Sequence, residues 1–287
     1  MANGAEATRV LGVVGAAVGH SLSPAMHRAA FAHLGMRAVY LAFDVPEGAL
    51  ARALAGACAL GLWGLNVTAP HKEKAFALST APGRRARQAG AANTLRLHPD
   101  GTIEADLTDG EAIVDALSAR RSGWARETSA RAPALVLGAG GVARAAAVAL
   151  AEAGAAVAVI ARRPEAAAEL ARRVGDLGGE AAHHPWAERG RWVERAPVVV
   201  QATPLGGGTR QRGDPLPPDA LPARTLVELA YGPGPTPLEA RARAAGREVV
   251  GGREILARQG AHAWRLWFGV GGPLEVMLRA VGAEAGG

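Results

Sequence analysis

A chain of 287 residues, 49% hydrophobic and 20% charged, has room for about two ordinary domains, and this composition excludes a disordered or fibrous protein. Its single cysteine, Cys58, excludes an intramolecular disulfide and a cysteine-based zinc site, so no metal is expected; its net charge of +6 is spread along the chain, which suits an anionic small molecule and argues against nucleic acid. No window reaches the roughly 18 unbroken apolar residues of a membrane helix and the first ten residues lack a secretion signal's basic and apolar regions, so a cytoplasmic protein without membrane contact is expected.

Residues 9–15 predict a short buried strand, followed by a loop and a helix over 23–35 in which Ser23 caps and Pro24 takes the first position. A strand over 38–45, an amphipathic helix over 47–61 ended by Gly61, and a strand over 62–68 come next. Pro70 opens a helix over 71–78, and residues 93–106 read as a hairpin turning at Pro99-Asp100-Gly101. Residues 109–122 look helical, and 120–133 are polar and irregular. From Ala134 the pattern restarts as strand, glycine turn, helix and strand through Arg163, the span of a βαβ unit. Strands follow over 196–203, 224–231 and 247–251, with a Pro/Gly-rich loop over 204–219, and a last helix over 254–269 is placed to fold back onto the first lobe. Alternating strands and helices imply an α/β fold with covered, largely parallel sheets. The expected domains are a substrate-binding αβα domain over 1–108 and 252–287 and a Rossmann-like domain over 109–251.

The chain uses Lys only at Lys72 and Lys74, Asn only at Asn3, Asn66 and Asn93, and Ser at six positions, while Ala, Arg and Gly are abundant. Where such a chain still places Lys, Asn and paired Ser, a site is expected that needs groups Arg and Ala cannot replace, since Arg does not give up a proton and Ala does not hydrogen-bond; the plainer alternative is chance within a biased composition.

In Gly138-Ala139-Gly140-Gly141-Val142-Ala143, a G-x-G-x-x-A spacing follows a strand and opens a helix, so its amides suit a pyrophosphate. An NAD site carries Asp or Glu at the end of the second strand; here the strand ends in Ala161-Arg162-Arg163. Two arginines there suit a 2′-phosphate and favour NADP, although they also read simply as polar strand ends in an Arg-rich chain. Ser21 and Ser23 flank Leu22 before Pro24, so both hydroxyls and the free amides of a helix start converge on an anion such as a carboxylate, unless Ser23 serves only as a cap. Asn66 and Thr68 share one face of a strand end, and Lys72 falls in the first turn of the next helix. A helix start and partial burial would both favour a neutral amine, which suits acid/base work, unless Glu73 and solvent undo the effect or Lys72 is an ordinary surface lysine.

These residues resemble the shikimate dehydrogenases, including relatives acting on quinate or aminoshikimate, and the likeness runs nearly end to end. Gly19-His20-Ser21-Leu22-Ser23-Pro24 is similar to the family's carboxylate loop, and Asn66-Val67-Thr68 with Pro70 and Lys72 to its catalytic motif. Residues 90–94 and Thr108-Asp109-Gly110 match two further signatures, Gln259 falls at the C-terminal substrate glutamine, and Tyr231 lies in a loop matching one beside the nicotinamide. The resemblance implies Lys72 and Asp109 as the catalytic pair and Ser21, Ser23, Asn66, Thr68, Asn93, Gln259 and Tyr231 as substrate residues. It implies residues 138–143, Arg162, Arg163 and Thr203 as the NADP site.

The implied reaction is the reversible, NADP-dependent reduction of 3-dehydroshikimate to shikimate, with substrate and cofactor meeting between the lobes of a monomer or homodimer. The same chemistry on quinate or aminoshikimate, or a binding protein that has lost turnover, are the alternatives. Asp109 also reads as the cap of a helix over 110–118. Leu107, Ala161, Arg163, Gln201 and the run Arg253-Glu254-Ile255 depart from the family pattern, and Glu254 raises the expectation of an anion that blocks or repels the cofactor.

Overall fold

The computed structural model describes residues 7–206 and 213–283. The first residues used in the signal reading, the middle of the loop expected over 204–219, and the last four residues of the expected first domain lie outside them. The described residues form two compact units, one up to Thr108 together with residues from Leu256 onward, the other Asp109–Ile255.

In the first unit, β1 (Arg9–Gly15), α1 (Ser23–His33), β2 (Ala38–Asp44), α2 (Leu50–Ala59), β3 (Gly64–Val67), α3 (Lys72–Leu78), β4 (Ala81–Pro82), α4 (Arg84–Ala89), β5 (Thr94–Leu97) and β6 (Ile103–Asp106) follow the order read from the sequence, except that β4 and α4 had no predicted counterpart. The sheet runs β2-β1-β3-β5-β6-β4. β1 is parallel to β2 and β3, whereas β5 is antiparallel to both β3 and β6. The β5–β6 hairpin turns where expected, with Gly101 at φ 86° and the Thr102 amide donating to the Asp100 carboxylate at 2.8 Å. This mixture of directions decides what meets what. The carboxyl ends of β1, β3 and β6 and the amino end of β5 all lie along the same edge of the sheet.

The second unit begins with α5 (Asp109–Arg120) and continues through β7 (Ala134–Leu137), α6 (Gly141–Glu152), β8 (Val157–Ile160), α7 (Pro164–Asp176), β9 (Ala181–His184), α8 (Arg189–Arg195), β10 (Val198–Gln201), β11 (Thr225–Glu228), α9 (Pro237–Ala244) and β12 (Glu248–Val250). Its sheet order, β12-β11-β10-β7-β8-β9, is parallel at every pairing, the doubly wound arrangement whose strand order reverses between β7 and β10. The strands β7, β8, β10 and β11 are buried along their whole length, which is why they read as continuous apolar runs rather than alternating ones. Residues 164–195 had no predicted elements; α7 buries Ala167, Leu170, Ala171 and Val174, a helical spacing, and the edge strand β9 is short and partly exposed. Within the stretch read as irregular, Trp124 is buried and donates its indole proton to the Ser118 hydroxyl at 3.2 Å.

The chain then enters α10 (Gly252–Phe268) and ends in α11 (Leu274–Ala280). The portion of α10 in the first unit supplies Ala257, Ala261, Trp264 and Trp267 to the core that β1, α1 and α11 share, with Met26, Phe31 and Tyr40. A Cβ at Gly260 would lie 2.4 Å from the methyl of buried Met26, so a side chain there would push that flexible end aside. Among the described residues no helix is long and apolar enough to cross a membrane.

Candidate functional site

In the first unit, two helix starts differ from the sequence reading by one residue. Leu22, not Ser23, stands at the cap of α1, so Ser23 is its buried first residue; Ser21 supplies the local contact instead, its hydroxyl accepting from the Ser23 amide at 3.2 Å. The loop carrying both serines is anchored by Asp44 at the end of β2, whose carboxylate accepts from the Val18 amide at 2.5 Å. His71 rather than Pro70 caps α3, which makes Lys72 its first residue. The His71 ring is buried against the Val45 carbonyl at 2.7 Å, fixing the helix start against the end of β2. Lys72 is half-buried, and its backbone carbonyl accepts from the Ala92 amide at 2.9 Å, so the amine's carrier is pinned beside Asn93.

The sheet edge brings together side chains from distant parts of the first unit. Asn66 faces Thr94 across the antiparallel β3–β5 pair, and its amide donates to the Thr94 hydroxyl at 3.3 Å and the Asn93 carbonyl at 3.2 Å. Its own carbonyl oxygen accepts from the Tyr40 hydroxyl at 2.7 Å. The Asn93 side-chain oxygen accepts from the Thr108 amide at 2.9 Å and the Thr94 hydroxyl at 3.0 Å, while its Nδ2 donates to the Thr108 hydroxyl at 3.1 Å and to Gln259 Oε1 at 3.4 Å. Gln259, on α10, is held in turn by donating to the Leu256 carbonyl at 2.9 Å. Asn66, Asn93, Thr94, Thr108 and Gln259 are all buried, and with few partners to spare in a low dielectric such a network has one low-energy arrangement. Thr68 follows β3, half-buried against Gly15.

Sequence reasoning missed the far side of this network. Tyr40, one of only two tyrosines in the chain, orients the Asn66 amide, and His27 stacks on it with ring centroids 4.3 Å apart. His27 Nδ1 accepts from the Trp264 indole at 3.1 Å, and burial holds the imidazole neutral, its pKa lowered to about 3 despite the opposing influence of Asn66. The scarcity of tyrosine was the available signal, the same one that singled out Asn66 and Asn93.

In the second unit, Gly138 closes β7 with φ 121°, a conformation open to glycine, and a Cβ there would meet the Ala202 carbonyl at 3.0 Å. Gly140 stands at the cap of α6 with no atom within 4 Å of a would-be Cβ, which leaves the helix start open to a ligand. Gly141 and Val142 form the first turn, half-buried; Ala139 is buried and Ala143 fully so, on the inner side of α6. Arg162 and Arg163 are exposed just beyond β8, with Arg163 at the cap of α7. Thr203, half-buried, is shaped by Gln201: that side chain accepts from the Thr203 amide at 2.8 Å and hydroxyl at 2.7 Å and donates to the Thr203 and Leu205 carbonyls at 3.1 and 3.0 Å. Gln201 therefore folds the loop after β10 from a fully buried position.

Asp109, the residue after Thr108, is the buried first residue of α5 rather than a cap before it. Tyr231 is half-buried on the loop between β11 and α9. Glu254, read as an anion set against the cofactor, is ion-paired in the structure. Its carboxylate is buried and takes a two-pronged contact from Arg120, at 2.7 and 3.0 Å, so the charge is neutralised within this unit. Arg253 turns the other way and donates to the Gly232 and Pro233 carbonyls at 2.6 and 3.2 Å. Leu107 is buried, its side chain part of the apolar interior. Among the described residues no cluster of His, Cys, Asp or Glu could hold a metal ion.

Comparison with known proteins bears on the same segments. Residues 13–95 match the model of the shikimate dehydrogenase substrate binding domain, and residues 252–281 that of the shikimate 5′-dehydrogenase C-terminal domain. The chain is 42% identical over 282 residues to the shikimate dehydrogenase (NADP(+)) of Anaeromyxobacter sp. (strain Fw109-5), covering 96% of each chain. Among solved structures it is similar to a shikimate dehydrogenase in complex with NADP+ (TM-score 0.82, 32% identity, covering 96% of this chain and 94% of that one). It is likewise similar to the shikimate 5-dehydrogenase of Thermus thermophilus in complex with NADP(H) and shikimate (TM-score 0.79, 35% identity, 95% and 98%). With the buried Asn66–Asn93–Gln259 network on one unit and the glycine turn with its two arginines on the other, this chain belongs to the shikimate dehydrogenase family.

Proposed function

We propose that Lys72 and Asp109 carry the proton chemistry of an NADP-dependent reduction of 3-dehydroshikimate to shikimate, with Ser21, Ser23, Asn66, Thr68, Asn93, Gln259 and Tyr231 as the substrate residues. The chain is an NADP-dependent oxidoreductase acting on a CH–OH group. The single observation that carries the residue assignment is the buried amide and hydroxyl network at the sheet edge, with Lys72 pinned beside Asn93 by the Ala92–Lys72 backbone bond.

The residues present fit a dinucleotide phosphate. Gly140 leaves open space at the start of α6, and Arg162 and Arg163 stand exposed where a 2′-phosphate is bound in this fold, with no carboxylate at that strand end. Residues 138–143, Arg162, Arg163 and Thr203 would hold the cofactor, which supplies hydride when bound. The serine loop offers two hydroxyls and a helix start to the substrate carboxylate. Asn66, Thr68, Asn93 and Gln259 take the ring hydroxyls; the protein's own bonds hold the three amides in one orientation each. The Lys72 ammonium gives a proton to the oxygen being reduced and, in oxidation, the amine accepts it; Asp109 orients the ammonium and balances its charge. The domain roles follow from this: residues 1–108 and 252–287 bind substrate and 109–251 bind NADP. A cytoplasmic location and a monomeric or homodimeric state belong to the same reading.

The test is a steady-state panel of shikimate, quinate and aminoshikimate with NADP and NAD on wild type and Lys72→Ala. Shikimate with NADP should give the highest kcat/KM, and Lys72→Ala should lose about a hundredfold or more in kcat with a smaller change in KM. Near-normal turnover in Lys72→Ala removes that residue from the chemistry. A preference for quinate or aminoshikimate reassigns the substrate, and tight binding without turnover makes the chain a ligand-binding relative.

A further inference from the structure

The loop over 229–236, between β11 and α9, carries Tyr231 and is fastened at its base by a buried acid that the proposed chemistry does not use. Glu228, the last residue of β11, is fully buried. One carboxyl oxygen accepts from the Ala230 amide at 3.0 Å, at the start of the loop; the other meets the Thr236 hydroxyl at 3.3 Å, at its end. Thr236 is the cap of α9, where it and Glu239 satisfy each other's amides at 2.9 and 3.1 Å. The same side chain therefore spans both ends of the loop, while Arg253 grips its middle through the Gly232 and Pro233 carbonyls.

We propose that Glu228 is a positioning residue, its carboxyl drawing the two ends of the 229–236 loop together and so holding Tyr231 where substrate and cofactor need it. This rests on the reading above, in which Tyr231 serves the site. The loop has two glycines and two prolines among its eight residues and no strand or helix of its own, so its conformation depends on such ties.

The clamp works with the carboxyl protonated. Among the described residues, the charges facing Glu228 are negative: Glu239 on α9, which pairs with Arg243, and Asp214 ahead of it, which pairs with Arg241. Burial, with help from those carboxylates, pushes the Glu228 acid up to about 8, although the Ala230 amide and Thr236 hydroxyl pull the other way. Above that pH an anion would sit in a dry pocket beside like charge, and the loop base would open to hydrate it.

The experiment compares wild type, Glu228→Gln and Glu228→Ala between pH 6.5 and 9.5, with NADPH and 3-dehydroshikimate. Gln keeps an acceptor for Ala230 and a donor for Thr236 and does not ionise. Wild type and Gln should match near pH 7, and wild type should fall roughly tenfold behind Gln in kcat/KM at pH 9, since about a tenth of the acid then keeps its proton. The loss should lie in KM more than in kcat, and Ala should be impaired at every pH. Parallel wild-type and Gln profiles overturn the proposal, because a merely structural acid would not separate them. Amide exchange of residues 229–236, compared between wild type and Gln at each pH, needs no turnover. Faster exchange in wild type alone as pH rises supports the clamp, and equal exchange overturns it. Absence of any turnover of 3-dehydroshikimate would defeat the functional reading separately, with exchange still deciding the clamp.

Discussion

Replacing Arg120 by Met keeps much of the side-chain volume and removes the guanidinium from a carboxylate that is about 5% exposed. Two charge-assisted hydrogen bonds are lost, at 2.7 and 3.0 Å, and Glu254 is left as a buried anion without its principal cation. Breaking a buried pair from one side costs about 3–5 kcal/mol, chiefly through the uncompensated charge. For a unit of roughly 150 residues, each kcal/mol moves Tm by about 2–4 °C, so the variant should melt roughly 6–20 °C lower. Glu254→Gln should cost less, because Arg120 keeps its bond to the Ala116 carbonyl at 3.2 Å and no anion is stranded. The double variant Arg120→Met/Glu254→Leu should recover much of the loss, a positive coupling of at least about 1 kcal/mol in a double-mutant cycle. Steady-state kinetics give a second reading: with the anion released, KM for NADPH should rise in Arg120→Met and return in the double variant. Calorimetry and urea titration of wild type, both single variants and the double variant measure the cycle. A loss below about 1 kcal/mol in Arg120→Met, or additive single and double effects, would refute the claim that this pair neutralises Glu254.

Arg162→Ala should weaken NADP binding far more than NAD binding, read by fluorescence titration, and equal losses would reject the 2′-phosphate assignment. Gly110→Ala should destabilise the protein by about 1–3 kcal/mol in urea unfolding, because a Cβ there would lie 2.3 Å from the Ala145 carbonyl and 2.7 Å from the Ala149 methyl; a change within about 0.5 kcal/mol would show that α5 and α6 yield easily. Glu228 also predicts a stability profile. Its carboxyl keeps its proton in the folded state up to about 8, whereas the unfolded chain releases it near 4.5, so wild-type stability should fall as pH rises through that window and level off above it. Relative to wild type, Glu228→Gln should therefore gain stability at up to about 1.4 kcal/mol per pH unit between about pH 5 and 8, and a flat difference would contradict the raised acid.

The sequence carried the site residues further than the contacts that hold them. Asn66, Asn93 and Lys72 stood out because their residue types are scarce in this chain, and the glycine turn and two arginines stood out by spacing along a βαβ pattern. Each of these is local information. Glu254 read alone is an anion near a nucleotide; its charge balance needs Arg120, 134 residues away, and no periodicity announces that pairing. Gln201 looked like a departure and is a loop former, because four of its bonds run within four residues of itself and depend on the turn that follows β10.

By itself, then, the amino-acid order determined the strands buried on both faces, the apolar stripe of α2, the turn at Gly101 and the glycine-lined start of α6, since burial period and backbone freedom are properties of short segments. Only the tertiary structure decided that β5 runs against β3, which puts Asn93 and Thr94 beside Asn66, and that Gln259, on the helix expected to return, bonds to Asn93 itself. Strand direction and helix return depend on the summed burial of whole faces. A buried polar cluster joined from distant segments takes its geometry from that packing, because each amide finds its partner only after the apolar surfaces around it have closed.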